Sequence, residues 1–74
     1  MSKVEVLAEA ITQDVIGFLM TDNSIELDDA MKILYNSKLF DKINDQSTGL
    51  YLEGSAYIYE LLKDELKRTR TEKI

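Results

Sequence analysis

Cysteine, histidine and proline are all absent from this 74-residue chain, and glycine occurs three times. Without cysteine there is no disulfide, and without cysteine and histidine every common zinc site is excluded. Nucleophilic catalysis of the Ser-His-Asp or Cys-His kind falls for the same reason. The longest apolar stretch, Val15 to Met20, is far too short to cross a bilayer and is interrupted by Gly17. Met1-Ser2-Lys3 leads into Glu5 and Glu9 rather than a long apolar run. That is not a secretory signal, so a cytoplasmic location is expected. No cofactor motif is present.

One domain spanning residues 1–74 follows from the length. A chain this short buries only about 60% of the surface its unfolded form exposes, which makes its core marginal. Disulfides and structural metals being excluded, association with another chain is the reinforcement left open. The net charge of −5 is unevenly placed. Residues 1–37 hold two lysines against seven acids, whereas residues 38–74 hold seven basic against seven acidic residues. An acidic body repels phosphate backbones and disfavours nucleic acid as a partner. Lys67, Arg68, Arg70 and Lys73 form a small basic tail, suited to the partial negative charge at a helix C-terminus.

The apolar spacing predicts an all-α fold, a compact domain of three or four helices. Ser2 followed by Glu5 is a capping box that opens a helix over about 3–20, with Val4, Leu7, Ala8, Ile11, Val15, Phe18 and Leu19 as its stripe. The cluster Thr21-Asp22-Asn23-Ser24 is expected to end it. A second helix is expected over about 27–36, capped by Ser24 or a neighbour. Asp28 and Asp29 lie in its first turn, and Leu27, Ala30, Met31 and Leu34 make its buried face. Ser37 caps a short third helix carrying Leu39, Phe40 and Ile43. Residues 44–49 read as a loop, with Gly49 suited to positive φ. A short extended segment is expected at Leu50-Tyr51-Leu52. Ser55 then caps a last helix over about 56–68, with Ile58, Leu61, Leu62 and Leu66 on its apolar face and residues 69–74 fraying.

On the first helix Val6, Ala10, Gln13 and Gly17 align on a second face, roughly opposite the main stripe. Three readings stay open: a helix packed on both sides within the monomer, a dimer face, or a solvated line of scattered apolar residues. Glu65 falls in the middle of the last helix's apolar stripe. Either the core ends there and the carboxylate reaches water, or it is buried against a lysine or a tyrosine hydroxyl. Asp28-Asp29 point about 100° apart and read as first-turn acids rather than a catalytic pair. The segment from Asp45 has the outline of a calcium loop but puts Leu50 where that loop needs glycine and Ala56 where it needs glutamate, so it is rejected.

All four tyrosines fall between positions 35 and 59. Tyrosine joins an apolar body to a polar tip and is frequent at interface hot spots. Tyr35, Phe40, Tyr51, Tyr57 and Tyr59 are therefore the candidate partner-binding residues, with Tyr51 ranked first. Rings lying over the rim of the core are the plainer reading.

Tyr35-Asn36-Ser37-Lys38, Thr48-Gly49-Leu50-Tyr51 and Ser55-x-Tyr57-x-Tyr59-Glu60-Leu61-Leu62 together resemble a family of small, uncharacterised bacterial proteins of about this length. The resemblance covers residues 27–66 best. It implies an antitoxin-like or accessory role beside toxin-like proteins and carries over no catalytic residue. The expected function is a non-enzymatic protein-interaction module, with a homodimer open. The alternative is a helix-turn-helix-like DNA-binding regulator using the second and third helices with the basic tail.

Overall fold

The computed structural model describes residues 2–72, with side chains described through Arg68. Four α-helices succeed one another: α1 (Lys3–Asn23), α2 (Leu27–Tyr35), α3 (Lys38–Ile43) and α4 (Ser55–Glu72). Two 3-10 turns, Gln46–Thr48 and Leu50–Leu52, link α3 to α4. The fold is all-α, and no strand occurs among the described residues.

The Ser2 hydroxyl accepts the Glu5 N–H at 3.2 Å and opens α1. That helix does not stop at Met20. Thr21, Asp22 and Asn23 are polar but break nothing, and α1 continues until Ser24 turns left-handed (φ 52°), its N–H returning to the Met20 carbonyl. Ser24 therefore ends α1 and does not cap α2, whose N-cap Glu26 makes no side-chain capping bond. Ser37 behaves as expected, accepting the Phe40 N–H at 3.2 Å to start α3.

The segment at 50–52 is not extended. The Leu52 N–H returns to the Gly49 carbonyl and the Glu53 N–H to the Leu50 carbonyl, both at 3.0 Å. Three residues without a partner strand gain more by closing short-range bonds than by stretching. Gly49, at φ 68°, reverses the chain between the two turns. Thr48 fixes the first of them, its hydroxyl donating to the Lys42 carbonyl at 2.6 Å and accepting the Leu50 N–H at 3.2 Å.

Ser55 lies inside α4 rather than capping it, since the Ile58 N–H already returns to the Gly54 carbonyl. The helix also runs past Arg68 to Glu72, so the tail expected to fray is helical that far. Lys73 and residue 74 lie outside the described residues, as does the side chain of Arg70.

The core joins all four helices. Val15 and Leu19 of α1, Leu34 of α2, Ile43 of α3, and Ile58 and Leu62 of α4 are each essentially sealed from water. Ile16, outside the expected stripe, is buried, whereas Phe18 and Leu27, inside expected faces, are partly exposed, at 37% and 50%. α2 returns antiparallel along α1, bringing Tyr35 at its end back beside Glu5 and Glu9 near the start of α1. α4 crosses the second half of α1 in the same sense, since Ser55 bonds Asp14 and Tyr59 bonds Asp22.

Candidate interaction surface

The five aromatic residues singled out in the sequence do not form one patch. Tyr35 and Phe40 come together, their ring centroids 4.9 Å apart and tilted by 49°. The two-residue connection Asn36–Ser37 between α2 and α3 is what sets one ring against the other. Phe40 is half-buried against the core and Tyr35 is 45% exposed. With Glu5, Glu9, Thr12 and Asn44 they line a groove of about 200 Å³. Glu5 and Glu9 are a helical turn apart on the same side of α1.

Tyr59 is a correction. It is buried, at 7% exposure, with its ring in the core rather than on an open patch. Its ring sits 5.3 Å from that of Phe18, and its hydroxyl donates to the Asp22 carboxylate at 2.8 Å. Glu9 and Phe18 are nine positions apart on α1, about 180° around the helix, so Tyr59 belongs to the opposite flank from the Tyr35–Phe40 pair. Burial, then the hydrogen bond and negative charge of Asp22, push the Tyr59 phenol up to about 12 from its ordinary 10.0. Such a phenol stays protonated at neutral pH and acts as a hydrogen-bond donor. Tyr51 is half-buried against the core, and Tyr57 is 53% exposed on α4.

Beside Tyr59 lies a second groove of about 260 Å³, lined by Asp22, Asn23, Lys63 and Lys67 over Leu19 and Leu66. The Lys63 ammonium lies 5.0 Å from the centre of the Tyr59 ring and 2.8 Å from the Glu60 carboxylate. The Glu60 hydrogen bond is the main reason that the Lys63 ammonium holds its proton more tightly than an ordinary lysine. The Lys63 charge in this groove is therefore already paired within the chain.

The candidate dimer face is open. Val6, Ala10, Gln13 and Gly17 are all exposed, so α1 is not packed on both sides within the monomer. Nothing lies within 4 Å of where a Gly17 Cβ would stand.

Three residues that sequence reasoning left without their actual partners tie the helices together. The Glu65 carboxylate accepts the backbone N–H groups of Lys38 at 2.9 Å and Leu39 at 3.0 Å. Asp14 accepts the Ser55 hydroxyl at 2.6 Å, and Asp22 accepts that of Tyr59. A charge placed inside an apolar stripe was the one visible signal, and it pointed to Glu65 alone. Asp45 is spent locally: the Ser47 hydroxyl and N–H donate to its carboxylate at 2.7 and 2.9 Å and hold its proton affinity below the usual carboxylate value. Among the described residues no group of three or more acidic side chains is placed to hold a metal ion. No helix among them is long and apolar enough to cross a membrane.

Comparison with protein-family models, curated proteins and solved structures finds no match.

Proposed function

We propose that this chain is a cytoplasmic, non-enzymatic protein-interaction module that acts as an antitoxin-like or accessory partner of a second protein. The observation that carries the reading is the Tyr35–Phe40 pair. One ring packs half-buried against the core and the other is held out beside it in a groove, 45% exposed. Aromatic side chains anchored in this way lose little conformational freedom on binding and commonly act as hot spots. The resemblance of Tyr35–Lys38, Thr48–Tyr51 and Ser55–Leu62 to small bacterial proteins supports the accessory role. The open Val6–Ala10–Gln13–Gly17 line leaves room for self-association as well.

The DNA-binding alternative draws less support. α3 has six residues, and Glu65 places a carboxylate on the amides at its start. A recognition helix offers that end to DNA, where a negative charge opposes phosphate.

Purification of the tagged chain from the cells that encode it, beside Tyr35→Ala and Tyr57→Ala variants, tests the proposal. A stoichiometric protein partner lost with Tyr35→Ala, at unchanged helicity, is the expected result. A chain that sediments as a monomer and brings down no partner overturns it.

A further inference from the structure

We propose that the groove between α1 and the α2–α3 corner receives a cationic side chain, arginine by preference, projecting from a basic segment of the partner protein. This inference rests on the reading of the chain as an interaction module and names the chemistry of what it binds.

The groove, about 200 Å³, is smaller than pockets that enclose cofactors or drug-sized molecules, and its scale is that of one side chain. Its walls offer two kinds of attraction to the same ligand. Tyr35 and Phe40 supply ring surface, with the two rings in contact 4.9 Å apart. A guanidinium stacks on such surface and is held by the ring quadrupole. Glu5 and Glu9 line the same groove. Among the described residues neither carboxylate has an ion-pair partner, and the one cation placed over an aromatic ring is Lys63, at Tyr59 on the opposite flank of α1.

Two unneutralised acids one turn apart repel each other, and a single cation between them relieves that repulsion. Arginine satisfies both walls at once, because its flat fork can reach a carboxylate while its face lies on a ring. The surroundings favour the same occupant, as residues 1–37 carry seven acids against two lysines. Long-range attraction therefore draws basic segments to this half of the chain.

The test is an NMR titration of the full chain with a short peptide alternating arginine and glycine, beside the same peptide with citrulline in place of arginine. Saturable shifts centred on Glu5, Glu9, Tyr35, Phe40 and Asn44 are expected, with the citrulline peptide at least about tenfold weaker. Glu5→Gln/Glu9→Gln and Tyr35→Ala should each weaken the arginine peptide by about tenfold while helicity is unchanged. Equal binding of the citrulline peptide, or affinity indifferent to these variants, overturns the proposal. So do shifts spread evenly to Asp28 and Asp29, which would report general attraction to an acidic chain. A homodimer dissolved by Glu5→Gln/Glu9→Gln makes a second copy the occupant and overturns it too. The two readings fail separately. A partner that co-purifies and survives Glu5→Gln/Glu9→Gln removes only the arginine groove, whereas peptide binding with no partner in cells removes the module.

Discussion

Glu65 on α4 holds the start of α3 at Lys38, 27 residues earlier in the chain, its Oε2 accepting the Lys38 N–H at 2.9 Å while Oε1 accepts that of Leu39 at 3.0 Å. With Ser37 taking the Phe40 N–H, three amides of a helix only six residues long are satisfied by side chains. An isolated helix that short is far below the length that is stable in water. α3 therefore depends on α4 both for its apolar cover and for its cap.

Replacing Glu65 should accordingly cost more than an exposed surface charge does. Glu65→Ala leaves two amides unpaired and is expected to destabilise the chain by about 1–3 kcal/mol. Glu65→Gln keeps an acceptor oxygen and should lose less. Urea unfolding followed by circular dichroism measures both, and a Glu65→Ala variant within error of the parent would show that solvent replaces the carboxylate at no cost.

The Tyr59–Asp22 bond predicts a loss of stability in alkali. The folded chain holds the Tyr59 proton to about 12, whereas an unfolded tyrosine releases it near 10. The contribution is thus fully present below pH 10 and disappears as pH rises from 10 to 12. Tyr59→Phe should flatten that window in denaturant midpoints taken across pH, and it should delete the late phenolate from an ultraviolet titration.

Gly17 occupies the interior of α1, exposed, with open space where a Cβ would be. Gly17→Ala should therefore stabilise the chain by about 0.5–1 kcal/mol through helix propensity alone. Thermal unfolding at several protein concentrations reads this out. A destabilisation that grows with concentration would instead reveal another helix lying against this line.

Leu62 is completely buried at the centre of α4. Leu62→Ala is expected to cost about 2–5 kcal/mol, a large part of the stability that a small domain has. Truncation of Leu52, 68% exposed on the outside of its turn, should by comparison shift the midpoint little.

Helix existence and type were legible from apolar spacing and from Ser2 and Ser37, because a cap and a stripe are local signals. Boundaries were not. Thr21–Asn23 looked like a terminator, yet in the absence of glycine or proline the helix continued and put Asp22 within reach of Tyr59. Ser55 looked like a cap, yet its hydroxyl is taken by Asp14, 41 residues away. The candidate site divided in the same manner. Tyr35 and Phe40, five positions apart, meet across one short corner, whereas the burial of Tyr59 was decided by Phe18 and Asp22 on another helix. Tyr57 is exposed as an edge position should be, while Tyr51, first in the ranking, lies half-buried against the core. Spacing reports which residues share an element's face; which face meets which element is settled only in three dimensions.

The crossing of α4 over α1 gives the fold an order in time. Its ties, Asp14 to Ser55 and Asp22 to Tyr59, span 41 and 37 residues, so they close only after α4 has begun to be made. Until then Val15 and Leu19 lack the Ile58 and Leu62 that help to seal them. A chain truncated before residue 58 therefore leaves the face of α1 that carries Val15 and Leu19 open to chaperones and proteases.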